Sequence, residues 1–158
     1  MKKKKSWREK LADAKDLPKV VAIPPGMQPK WGSGTIVIPA PVEVDQIMRK
    51  VPKGKLITIN DLRETLARKH GATIGCPITT GIFAWVAAHA AEEAATAGRK
   101  RITPYWRTLK AGGVLNPKYP GGLAAQKRRL VAEGHRVVRR KKDTVVADFE
   151  QALFAFPQ

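Results

Sequence analysis

The residues best suited to chemistry fall in one short span, Ile102–His135. It opens with Pro104, Tyr105, Trp106 and Arg107, turns at Gly112-Gly113 and again at Pro120–Gly122, and closes with Lys127, Arg128, Arg129 and Glu133. Two aromatic faces, a tight backbone turn and a helix rich in Lys and Arg suit a partner that is flat and anionic, such as a nucleic acid. The same residues also read as an aromatic core pair followed by a solvated basic helix. Metal chemistry has less to stand on. His70, His89 and His135 have neither mutual spacing nor Cys or Asp company for a ligand set, so no metal and no cofactor is expected. Cys76 is the single cysteine, which rules out an internal disulfide and a Cys-rich zinc site.

Charge points toward a polyanion. In 158 residues, 30 Lys and Arg face 13 Asp and Glu, a net charge of +17. An anionic membrane surface is a weaker partner, because the basic segments lack an opposite face rich in Trp and Leu. With no secretion signal or long apolar span, a cytoplasmic, nucleoid-associated address is expected, and the Lys2–Lys5 run reads as a solvated basic arm. The length suits one domain with small appendages, expected to be monomeric.

These residues need elements to hold them. Residues 1–39 read as a basic N-terminal extension that packs on the core. It carries a short helix over Trp7–Lys15 capped by Ser6, an apolar run at Lys19–Ile23, and a strand at Gly34–Ile38. A main domain over 40–136 begins with a helix at Val42–Arg49 behind Pro41, followed by a strand at Leu56–Ile59. Asn60 is expected to cap the next helix, which ends before Gly71. Cys76-Pro77 reads as a break, and Thr79 or Thr80 as the cap of an alanine-rich central helix from Gly81 to about Ala97. A β-ribbon is expected to turn at Gly112-Gly113, pairing Thr108-Leu109 with Val114-Leu115, before a last helix over Leu123–Glu133. Residues 137–158 form a basic C-terminal extension, with a strand or short helix in Thr144–Phe154. Helix, strand, helix, helix, ribbon, helix is the order of a winged helix-turn-helix, so the fold class expected is α+β.

Val51–Leu62, VPKGKLITINDL, and Pro104–Gly134 resemble the DNA-binding domain of alkylguanine-DNA alkyltransferases and their alkyltransferase-like relatives. The resemblance spans roughly Val42 to His135. Its most specific parts are the Val-Pro-Lys-Gly-Lys turn, the Tyr119–Leu123 stretch and Glu133-Gly134. It implies a winged helix that enters the minor groove and rotates a damaged base into a pocket. In the active enzymes that pocket holds a Pro-Cys-His-Arg motif; here Pro104, Tyr105, Trp106 and Arg107 stand in its place, with Glu133 at the family's glutamate. A phenol held by no base is no substitute for a thiolate at neutral pH, and Cys76 lies outside the motif, so suicidal alkyl transfer is excluded there. The alkyltransferase-like branch also lacks the cysteine and binds alkylated bases. This chain departs further: Ile59 and Ile78 replace the family's base-flipping tyrosine and stack-filling arginine, the Asn-Pro hinge is missing, and Gly81–Pro104 is longer.

The expectation is therefore a non-enzymatic protein that binds double-stranded DNA, alkylated DNA included, with repair proteins as further partners. Tyr105, Trp106, Tyr119 and Glu133 would form a base pocket, or Tyr105 and Trp106 would plug one that is obsolete. Lys127, Arg128, Arg129 and the Arg139–Lys142 run would contact phosphate. Arg107 would contact phosphate or brace the pocket. Thr79, Thr80 and Gly81 would hold a phosphate at the recognition-helix start, or simply cap it. The alternative is an RNA- or ribosome-associated basic protein with the same charge and no working pocket.

Overall fold

The computed structural model describes residues 4–156, so Lys2 and Lys3 of the basic arm lie outside it. Ser6 opens α1 (Trp7–Ala12) with a capping box: its hydroxyl accepts from the Glu9 N–H while the Glu9 carboxylate accepts from its own. Strand β1 (Lys19–Ala22) leads through the short α2 (Gln28–Trp31) to β2 (Thr35–Ile38), its antiparallel partner. Pro41 then starts α3 (Pro41–Arg49), where a missing N–H costs no helix bond.

β3 (Ile57–Thr58) runs straight into α4 (Ile59–His70). Asn60 does not cap this helix. Thr58 does, two residues earlier, because its extended backbone at the end of β3 sets the hydroxyl to accept from the Asp61 N–H while Asp61 accepts in return. Gly71, left-handed at φ +65°, ends the helix as its position suggests. β4 (Ile74–Gly75) pairs parallel with β2, so strands from the N-terminal segment and the middle of the chain share one sheet in the order β1-β2-β4.

The central helix, α5 (Pro77–Thr96), begins four residues before Gly81. Cys76 is its N-cap and Pro77 its first residue, so the Cys-Pro pair starts the helix rather than breaking the chain. Its buried side runs from Thr80 to Ala91 and packs against α1, α3 and α4. The apolar character does not translate into burial on every side: Ile78 and Ile82, one turn apart, are 61% and 49% exposed.

The Gly112-Gly113 ribbon also differs from expectation. β5 (Thr108–Leu109) pairs parallel with β3, and the turn is closed only by a bridge between Lys110 and Val114. Thr108 and Leu109 are both buried and pair with β3, while Val114 and Leu115 are engaged by Val145 and the Thr144 carbonyl instead. Both glycines have positive φ, and a Cβ on Gly113 would fall on the Phe149 ring. After α6 (Gly122–Ala132) the chain forms an antiparallel hairpin of β6 (Val137–Arg140) and β7 (Asp143–Val146). β7 bridges Val114 through Val145, and further on the Phe154 N–H donates to the Leu56 carbonyl at 2.8 Å. The main core, filled by Met48, Leu56, Ile57, Leu62, Leu66, Leu109, Leu115 and Leu130, joins helices and short strands in an α+β arrangement, with a smaller cluster of Ile23, Ile36 and Cys76 beside it. No helix among the described residues is long and apolar enough to cross a membrane.

Candidate nucleic-acid interface

Pro104 leads into a single 3₁₀ turn, Tyr105–Arg107, which β5 then anchors to β3. The turn lays Tyr105 and Trp106 inward, 3% and 7% exposed. Tyr105 meets Trp106 edge-to-face at 5.3 Å and Tyr119 at 5.4 Å, an aromatic arrangement that fills space between α5 and α6. The Tyr119 hydroxyl donates to the Thr108 carbonyl at 3.1 Å. Gln126, buried on α6, closes the group from behind: its amide nitrogen donates to the Trp106 carbonyl and its oxygen accepts from the Asn116 N–H.

The polar atoms of the turn are all held internally. The Tyr105 hydroxyl donates to Glu92 Oε1 at 2.7 Å, so the phenol has a carboxylate partner that its sequence neighbourhood does not reveal. That partner does not make it a nucleophile. Burial, and then the Glu92 hydrogen bond, push the phenol well above its ordinary pKa of 10, leaving it protonated at neutral pH. Arg129 donates to the same Glu92 oxygen at 3.0 Å and lies 4.2 Å over the Trp106 ring. Arg107 makes a fork onto Glu133, at 2.9 Å and 2.6 Å, and donates to the Val51 carbonyl at 2.7 Å. The Trp106 indole N–H donates to Glu133 at 3.1 Å. Arg107 is therefore a brace, its guanidinium engaged by Glu133 and the Val51 carbonyl. The Val-Pro-Lys-Gly-Lys turn explains part of this, since its Val51 carbonyl is what Arg107 holds.

No protein-family model matches the chain, and no curated protein matches it in sequence. In structure it resembles S. pombe Atl1 in a crystal complex with damaged DNA containing O6-carboxymethylguanine. The TM-score is 0.51 at 17% identity, covering 73% of this chain and 94% of that one. The chain has the Atl1 fold. A second structure, S. pombe ATL in complex with DNA, aligns over the same shares at 17% identity with a TM-score of 0.47.

Within the Atl1 fold the remaining residues separate clearly. Lys127 and Arg128 are exposed on α6 and make no ion pair among the described residues, whereas Arg129 is tied to Glu92 and Trp106. Thr79, Thr80 and Gly81 do not cap α5. They lie inside its first turns, where Thr79 contacts Cys76 Sγ and Thr80 is fully buried with its hydroxyl unpartnered. Ile59 is half-buried, and Ile78 projects from the first turn of α5. The histidines are apart: His70 contacts Glu43 at 2.6 Å, His89 stacks on Trp7 at 4.5 Å, and His135 sits near Glu133. Glu92 and Gln126 are the site residues that pattern reading missed. Nothing local marks them, since each acts through partners ten or more residues away.

Glu133 makes acid a test of the brace. Burial alone would raise its carboxyl, but the Arg107 and Trp106 hydrogen bonds together outweigh this and hold it below its ordinary 4.5. A carboxylate with a depressed folded-state pKa contributes stability above the unfolded value and loses it as pH falls through the folded one. The urea midpoint should therefore decline as pH falls below about 4.5, and the Glu133→Gln variant should show a shallower decline in that range. Identical acid slopes in the two proteins would remove Glu133 from the account.

Proposed function

We propose that the protein binds duplex DNA non-covalently and does not modify it. The observation that carries this reading is free charge on the fold described above. Lys127, Arg128, Arg139, Arg140, Lys141 and Lys142 are exposed, and none makes an ion pair or side-chain hydrogen bond among the described residues. Such cations release counterions from a phosphate backbone when they dock, a driving force that needs no base recognition. In this reading α4 and α5 act as the helix-turn-helix pair, and the β6–β7 hairpin, with Lys141 and Lys142 at its tip, takes the part of the wing. The absence of alkyl transfer in the proposal rests on the protonated, buried phenol of Tyr105 and the lack of a thiol in the turn.

A second reading, sensing of an altered base, draws on one feature. A cleft of about 550 Å³ opens beside Tyr105, bounded by Pro120, Gly121, Ala125 and Arg128. It is of a size that admits one base, although the aromatic faces behind it are already packed together. Participation in DNA repair, partner repair proteins, a monomeric state and a cytoplasmic address belong to this proposal and stand or fall with it.

The experiment is fluorescence anisotropy on a short duplex, with and without a single O6-alkylguanine, across 50–200 mM salt. Lys127→Ala with Arg128→Ala should lower duplex affinity about tenfold or more near 0.1 M salt and flatten the log–log salt slope by about two. Arg129 is left in place because it holds Glu92. A loss below about threefold would discard this surface. Tighter binding to the lesion at every salt favours the sensing reading; equal affinities with a steep slope favour general duplex binding. Failure to bind duplex, with tight binding to structured RNA, would replace both by the RNA-binding alternative.

A further inference from the structure

A groove at the C-terminal end of α5 is lined by six cations, Arg49, Arg99, Lys100, Arg101, Arg107 and Arg129, and by no carboxylate. Its volume is about 540 Å³. It adjoins a smaller cleft of about 210 Å³ that shares Arg49, Arg99 and Arg101, reaches Arg8 on α1, and is lined by one carboxylate, Asp45, which is paired with Arg49. Two of the six cations are used internally, Arg107 by Glu133 and Arg129 by Glu92. Arg49 pairs with Asp45 through Nε, and its two terminal nitrogens make no hydrogen bond among the described residues. Arg99, Lys100 and Arg101 make no side-chain hydrogen bond or ion pair among the described residues.

The ordinary reason for cations in this place is the negative end of a helix dipole. Here that role is filled without them. The last turn of α5 is closed by backbone donors, with the N–H groups of Ala97, Gly98 and Arg99 reaching the carbonyls of Glu93, Ala95 and Ala94. The dipole acts within one turn and does not call for three consecutive free cations. Gathering them around one concave surface instead costs mutual repulsion that only an anion relieves. Guanidinium groups match phosphate geometry, and the Trp106 ring is too covered to stack on a base. Recognition is by charge alone.

We propose that this groove is a second phosphate-binding site, about 25 Å along α5 from Thr79–Gly81 at ~1.5 Å per residue and distinct from the Lys127/Arg128 surface in its free cations, Arg99, Lys100 and Arg101, with Arg129 bordering both. Its elongated run of cations from Arg8 to Arg129 fits successive phosphates of a phosphodiester backbone. That choice of source rests on the DNA-binding reading above, whereas the phosphate chemistry does not.

The test compares wild type with the triple variant Arg99→Ala, Lys100→Ala and Arg101→Ala, all at exposed positions, and with Lys100→Glu as an independent control. Two measurements are made on each: the salt slope of duplex binding, and the thermal midpoint in millimolar inorganic pyrophosphate. The expected result is a triple variant with an unchanged midpoint in buffer, a duplex slope lower by two to three, and a duplex affinity reduced at least tenfold near 0.1 M salt. An unchanged slope, together with a pyrophosphate stabilisation seen in wild type and lost in the variants, would assign the groove to a free phosphate ligand and overturn the backbone assignment. Variants indistinguishable from wild type in both measurements would overturn the site. A wild type that binds no duplex would defeat the DNA reading, and the pyrophosphate comparison would still decide the groove.

Discussion

Replacing Arg107 with alanine is expected to cost about 3–5 kcal/mol of folding stability. The Glu133 side chain is largely buried and receives its charge-assisted hydrogen bonds from Arg107, so the truncation leaves a carboxylate with the Trp106 indole as its remaining side-chain donor, and leaves the Val51 carbonyl without its donor. Urea unfolding at neutral pH measures the loss. Removing both charges together, as Arg107→Leu with Glu133→Leu, should recover most of it, because a buried ion pair is often exchangeable for apolar groups of similar volume while half of one is not. The same variant distinguishes a brace from a phosphate contact. Under conditions where Arg107→Ala is folded, its duplex affinity should lie within about twofold of wild type. A tenfold loss of affinity with little loss of stability would reverse the assignment.

Trp106→Ala is expected to destabilise by a comparable ~3–5 kcal/mol, the range for truncating a buried aromatic. The indole fills the space between the Tyr105 ring and the Arg129 guanidinium and donates to Glu133, so its removal leaves a cavity and takes a donor from Glu133. If the ring is a plug, the cavity should take it back: indole added at millimolar concentration should raise the thermal midpoint of the variant and leave wild type unchanged. A variant destabilised by less than 1 kcal/mol would mean the ring contributes little packing and is available to a ligand.

The helix pattern was readable where the signal lies within a few residues. Ser6 ahead of Trp7, Pro41 ahead of Val42 and Gly71 after His70 mark real helix ends, because caps act through backbone groups one turn away. The errors fall where two local signals compete. Thr58 and Asn60 are both able caps, and the one chosen is the one that β3 holds extended. Cys76-Pro77 reads as a break, yet in the fold Cys76 is the N-cap of α5 and Pro77 its first residue, with α5 packed on α1 and α3. Thr108-Leu109 has the composition of a ribbon strand, yet its partner is β3, fifty-one residues earlier, since Ile57 pairs with Thr108.

For the site, the residue types alone determined that this chain lacks a thiolate in its Pro-Tyr-Trp-Arg turn, carries a large excess of positive charge, and places Lys127, Arg128 and Arg129 on its last α-helix. These follow from side-chain chemistry, which does not depend on where the residue sits. What only the tertiary structure decided is the fate of each group. Arg107 and Arg129 have the same side chain as Arg128, but Glu133 and Glu92 lie within reach of the first two and not the third. Tyr105 faces Glu92 because α5 runs on to Thr96 and carries that carboxylate across the turn. A charge becomes a brace or a free contact according to what long-range folding sets within about 3 Å of it, and that neighbour is not written in the local sequence.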